Sequence, residues 1–196
     1  MRDFPNVVPP GIPRRGSAAW RWIGRTALRL AGWRFEGAFP DVRKLVVAVA
    51  PHTSYWDFFL GAAAMFALDL RINFIGKHTI FVWPFSPILR WMGGIPVDRT
   101  SAQGLVGEAV ATFRHVPEQV LAIAPEGTRR KVERYRTGFL HIARGAGVPV
   151  LLVGLDYAAR CIRIGPVFEV GSDIEAERIR VEAHFAKIPA RHPHLQ

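Results

Sequence analysis

Histidine is the side chain best suited to remove a proton near neutral pH. His52 stands just past an apolar run, residues 46–49, and Asp57 follows five positions later. A general base uses one ring nitrogen and needs the other held; a carboxylate accepting that N–H fixes the tautomer and stabilises the imidazolium. Five residues is too long a step for neighbours on a regular helix. The pair can meet if His52 lies in a loop and Asp57 in the first turns of the helix that follows. Pro51, Thr53 and Ser54 mark such a boundary, since Ser and Thr favour N-caps. Taken alone, the pattern also describes a loop histidine and an aspartate that favours a helix dipole.

A second cluster follows another apolar stretch: Pro125-Glu126-Gly127-Thr128-Arg129-Arg130. Gly127 permits a tight turn and close approach to a ligand. Arg129 can fork onto a phosphate, Thr128 offers a hydroxyl, and Glu126 can hold an arginine or a substrate hydroxyl. A solvated basic loop accounts for the charge here, but not for the Glu-Gly-Thr-Arg order after a strand. A third cluster, "GGIPVDR" at 93–99, ends in Arg99, either a second phosphate contact or a surface partner of Asp98. The remaining histidines have no metal-site spacing, so no metal is expected. Cys161, the single cysteine, excludes an intrachain disulfide and a multi-cysteine zinc site, and it reads as a buried structural thiol.

The elements that must position these groups alternate. Strands are expected at 44–50, 71–75, 94–97, 119–124, 148–155 and 161–164. Helices are expected at 55–68, 85–91, 102–115, 138–145 and 172–187, the last opened by a Ser172/Glu175 capping box. The alternation predicts a single α/β domain with a mostly parallel central sheet flanked by helices. In such sheets, sites gather where strands end. Residues 1–33 form a leader and an N-terminal amphipathic helix, 34–188 the main domain, and 189–196 a frayed tail. The helix, 17–32, carries Arg21, Arg25 and Arg29 on one stripe and Trp20, Ile23, Ala27 and Leu30 on another side. It suits either a membrane interface or a surface helix packed by its tryptophans.

The net charge of +10 implies an anionic partner: nucleic acid, an anionic membrane or a phosphorylated substrate. The longest apolar run, 58–68, has about half the residues needed to cross a bilayer. The N-terminus lacks the apolar core of a signal peptide, so the chain is expected on the cytoplasmic side. No nucleic-acid reader motif is present, and the aromatics fall in apolar runs, so no nucleic acid is expected as a partner. A dinucleotide fingerprint, a Walker A loop and a nucleophile elbow are also absent from the sequence.

Taken in order, four blocks resemble the glycerolipid acyltransferase family: "HTSYWD" (an H-x-x-x-x-D), "GGIPVDR", "PEGTR" and "VPVLLV" at 148–153. Ala124 replaces the family's usual phenylalanine before the proline, Leu152 stands where a second proline is frequent, and Arg136 replaces a lysine. The resemblance is strongest to short bacterial members without transmembrane spans. It implies a glycerol-3-phosphate acyltransferase-like fold and direct transfer of a fatty acyl group from acyl-CoA or acyl-carrier protein to a lysophospholipid hydroxyl. The acceptor implied first is 1-acylglycerol 3-phosphate, giving phosphatidate; another lipid alcohol or lysolipid is the alternative. His52 and Asp57 would be catalytic. Arg99, Glu126, Gly127, Thr128 and Arg129 would bind the acceptor, and no cofactor beyond the thioester co-substrate is expected. The enzyme would sit peripherally on the cytoplasmic face of an anionic membrane. A basic non-catalytic membrane- or nucleic-acid-binding module is the rival of a different class.

Overall fold

Apolar runs bounded by proline, glycine and polar residues fold as strands, and the longer stretches between them fold as helices. The computed structural model describes residues 8–97, 102–128 and 130–195. In chain order they form α1 (Ala18–Leu30), β1 (Arg34–Gly37), β2 (Lys44–Ala50), α2 (Trp56–Ala67), β3 (Ile72–Lys77) and α3 (Phe85–Trp91). There follow β4 (Gly94–Val97), α4 (Ala102–His115), β5 (Gln119–Ile123), α5 (Gly138–Ala146), β6 (Val150–Asp156), β7 (Cys161–Phe168) and α6 (Ile174–Phe185).

The strands make one seven-stranded sheet in the order β1-β7-β6-β2-β5-β3-β4. The β6–β7 pairing is antiparallel and the others are parallel. Central β2 reads as an unbroken apolar run because both of its faces are covered. Leu45 and Val47 join a core with Leu28 of α1 and Leu60 and Phe66 of α2. Val46, Ala48 and Ala50 join a second core with Phe113 of α4, Leu140 of α5 and Phe185 of α6. Each fully buried Val or Leu contributes about 1.5–3 kcal/mol relative to exposure. The single α/β domain with a mostly parallel sheet is therefore the observed architecture.

The N-terminal helix begins at its expected cap: Ser17 Oγ accepts from Trp20 N at 3.4 Å. It lies against α2 through Leu28 and Gly24; a Cβ on Gly24 would fall 2.4 Å from Ala67 N. Trp20 stacks on Phe66 at 4.8 Å. The arginine stripe turns toward the C-terminal end of α2, where cations are favoured. Arg25 Nε donates to Ala67 O at 3.1 Å and Arg21 pairs with Asp69 at 3.7 Å. Trp22, Ile23 and Leu30 stay exposed. The helix is thus packed on the domain on one side and keeps an apolar outer side.

Three local expectations are corrected. Arg34–Gly37 was not anticipated as a strand; it is a four-residue edge strand with one buried residue, Phe35, and gives almost no periodic signal. Helix α6 is capped by Asp173, whose Oδ1 accepts from Ala176 N at 2.9 Å, so the Ser172/Glu175 box does not form. Glu175 instead pairs with Arg178 and Arg134. The final segment is docked, not frayed. Ile188 and Ala190 are buried, Tyr157 N donates to Pro189 O at 3.1 Å, and His192 N donates to Thr53 Oγ1 at 3.3 Å.

Candidate active site

Strands β6, β2 and β5 are adjacent and parallel, so their C-terminal ends share one edge of the sheet. The loop after β2 carries His52, the loop after β5 carries Glu126, and Tyr157 follows β6 directly. Three apolar strands with different sequence positions thus deliver three polar side chains to one place.

Asp57 lies in the first turn of α2, one turn beyond the His52 loop. His52 Nδ1 is 3.2 Å from Asp57 Oδ2, and the Asp57 side chain is only 1% exposed against 21% for His52. The imidazole therefore has one nitrogen held by a buried carboxylate and an edge open to solvent. Ser54 N donates to the same Asp57 Oδ2 at 2.7 Å. Burial pushes the Asp57 carboxyl up, but hydrogen bonds from His52, the Tyr157 hydroxyl and Ser54 N outweigh it, and the net shift is downward. Asp57 stays ionised, as a partner for an imidazolium must.

Glu126 is buried against the His52 loop, where its Oε1 accepts from His52 N at 2.8 Å. Its Oε2 is buried with no hydrogen-bond partner among the described residues. Burial raises its pKa above the ordinary carboxyl value. The side chain fixes the backbone from which His52 projects. Gly127 has φ +66°, a left-handed conformation that favours glycine, and the Arg136 side chain packs against it, with Cδ and Nε 2.8 Å from where a Cβ would stand. Arg136 N closes the loop onto Pro125 O at 2.8 Å. Thr128 Oγ1 accepts from Arg130 N at 3.3 Å. Arg99 and Arg129 lie outside the described residues.

Sequence reasoning missed two groups at this edge. The Tyr157 hydroxyl donates to Asp57 Oδ1 at 2.5 Å. Burial and the neighbouring Asp57 push its pKa well above the usual phenol value. The Arg191 guanidinium lies 5.3 Å from the Trp56 ring centroid and 5.8 Å from that of Tyr157. The available signal for Tyr157 was its place directly after an apolar strand, the same rule that singled out His52 and Glu126. Nothing in the final segment marked Arg191.

Cys161 is buried, its thiol faces Glu36 Oε2 at 3.7 Å, and burial raises its pKa, so it remains a thiol. Among the described residues no group of three or more His, Cys, Asp or Glu could hold a metal ion. Helix α2, which carries Asp57, exposes Trp56 and Phe59, and the segment into α3 exposes Trp83, Phe85 and Ile88. No helix among the described residues is long and apolar enough to cross a membrane.

The arrangement can deprotonate a hydroxyl presented to the open nitrogen of His52 and stabilise the charge that develops on the ring. A family model described as Acyltransferase matches residues 34–155. The 1-acyl-sn-glycerol-3-phosphate acyltransferase of Haemophilus influenzae is 30% identical over 142 residues, covering 68% of this chain and 58% of that protein. The enzyme of the same name from Escherichia coli is 32% identical over 97 residues, covering 46% of this chain and 39% of that protein. The chain thus spans less than two thirds of the length of either curated relative. The crystal structure of the 1-acyl-sn-glycerophosphate (LPA) acyltransferase PlsC from Thermotoga maritima matches with a TM-score of 0.63 at 22% identity. That match covers 85% of this chain and 75% of the other and speaks to the fold.

Proposed function

The chain belongs to the acyltransferase family, and on that premise we propose that it moves a fatty acyl group from a thioester to the hydroxyl of a lysophospholipid. The donor is acyl-CoA or acyl-carrier protein. The acceptor is 1-acylglycerol 3-phosphate, as the names of both curated relatives suggest, and the product is phosphatidate. The observation that carries this reading is the His52 Nδ1–Asp57 Oδ2 contact at 3.2 Å, with the other edge of the ring open.

In this mechanism the free His52 nitrogen takes the acceptor's hydroxyl proton as its oxygen attacks the thioester carbonyl. A C–O bond forms, the C–S bond breaks, and the proton passes from His52 to the departing thiolate. Asp57 stabilises the imidazolium in between. No acyl-enzyme is needed, in keeping with a Cys161 that stays protonated. Glu126, Gly127 and Thr128 shape the acceptor pocket, and Arg99 and Arg129 hold its phosphate. The exposed aromatics of 81–92 and the outer side of α1 seat the protein peripherally on the cytoplasmic face of an anionic membrane. The charge of +10 favours that surface, and residues 58–68 and 81–92 offer an apolar slot for the acyl chain.

Mass-spectrometric assay of the purified chain on anionic vesicles tests the substrate pair, with palmitoyl-CoA or palmitoyl-acyl-carrier protein as donor. Phosphatidate formed from added lysophosphatidate is the expected product. Acylation of other lysolipids but not of lysophosphatidate would overturn the acceptor assignment.

A further inference from the structure

We infer that Tyr157 is a positioning residue of the site: its hydroxyl anchors the Asp57 oxygen that His52 does not use and so sets the orientation and strength of the catalytic pair. The inference rests on the reading of His52 as the base.

The two oxygens of Asp57 have separate partners. Oδ2 accepts from Ser54 N at 2.7 Å and faces His52 Nδ1 at 3.2 Å; Oδ1 accepts from Tyr157 at 2.5 Å. A carboxylate held at one oxygen alone can rotate and carry the imidazole out of line. Donors on both oxygens remove that freedom. The phenol is itself held from three parts of the chain. Its backbone follows β6, its ring meets Trp33 edge-on at 5.0 Å, and its N–H donates to Pro189 O at 3.1 Å. Arg191 lies over the same ring. The docked final segment therefore bears on the catalytic pair through Tyr157.

The hydroxyl also has an electrostatic effect. A hydrogen bond to an ionised acceptor is a strong one, and it draws charge from Asp57. That bond favours the charged form of Asp57, so removing the hydroxyl makes Asp57 easier to protonate. The other charged groups facing the pair are Glu126 from the β5 loop and Arg191 from the final segment, with Arg136 packed against Gly127. Glu126 and Arg136 are the same in a Tyr157→Phe variant; Arg191 also hydrogen-bonds the Tyr157 hydroxyl, so the comparison is repeated in an Arg191→Ala background.

The experiment is an NMR titration of the full chain with carboxyl-labelled aspartate, in wild type and in Tyr157→Phe, without substrate. Asp57→Asn assigns the resonance. The expected result is an Asp57 midpoint higher in Tyr157→Phe by roughly half to one pH unit. Acyl transfer from palmitoyl-CoA to lysophosphatidate should fall about tenfold, mainly in kcat. Coincident midpoints would overturn the inference. If Tyr157→Phe does not fold, 3-fluorotyrosine at the three tyrosines supplies a stronger donor, and the midpoint should move down instead; no movement overturns the inference equally. Full acyl transfer by His52→Ala would defeat the parent reading, whatever the titration shows.

Discussion

Asp57 and Glu126 are two carboxyls a few ångströms from one histidine, and their surroundings drive them apart. Asp57 has three donors and stays ionised; Glu126 has backbone donors alone and a buried oxygen with no partner among the described residues, and burial raises its pKa. Asp57→Asn keeps the shape but removes the charge that stabilises an imidazolium. It should lower acyl-transfer kcat by about 10²–10⁴-fold and lower the urea midpoint at neutral pH, where the ionised carboxylate contributes to stability; steady-state assay and denaturation would check the two together. The two groups also have opposite linkage to stability. The folded pKa of Asp57 lies below its ordinary 3.8, so its contribution is full above 3.8 and lost as pH falls through the folded value. The folded pKa of Glu126 lies above its ordinary 4.5, so the native state loses stability as pH rises from 4.5 toward the folded value. Glu126→Gln can still accept from His52 N and cannot ionise. Its urea midpoint relative to wild type should rise between pH 4 and pH 7; a constant difference would contradict the assigned burial effect. The His52–Asp57 pair was legible because loop, cap and helix residues follow one another within six positions. Tyr157 was not, because its partner lies 100 residues away and only the sheet order brings them together.

At the scale of elements, the site exists because β6, β2 and β5 are parallel neighbours. That much was readable: apolar runs ending in His, Glu and Arg clusters, separated by helical stretches, imply a parallel sheet with polar groups at one edge. The short β1 and the docked end of the chain were not readable, since both depend on distant partners. Ile188 seats against Gly154, where a Cβ would fall 2.3 Å from its Cδ1, and this packing holds the segment that reaches Thr53 and Tyr157. The α1–α2 contact has a similar basis. Gly24→Ala places a methyl against the backbone of Ala63 and Ala67, which has no room to yield. The variant should be destabilised by about 1–3 kcal/mol, read as a lowered urea midpoint. An unchanged midpoint would mean that α1 does not bear on α2 in this way.

The whole molecule combines a net charge of +10 with exposed aromatics on the segment into α3, Trp83 being 86% exposed. Trp83→Ser with Phe85→Ser removes apolar area from the surface and leaves the core untouched. Binding to anionic vesicles should weaken about tenfold, with thermal stability unchanged, as sedimentation and calorimetry would show. Binding that is lost in salt but indifferent to these two residues would assign it to charge alone. The most direct measurement of the central claim is thiol release from palmitoyl-CoA on anionic vesicles, with and without lysophosphatidate, for wild type beside His52→Ala. The account predicts release that requires both the acceptor and His52. Release that persists at the wild-type rate in folded His52→Ala would contradict it.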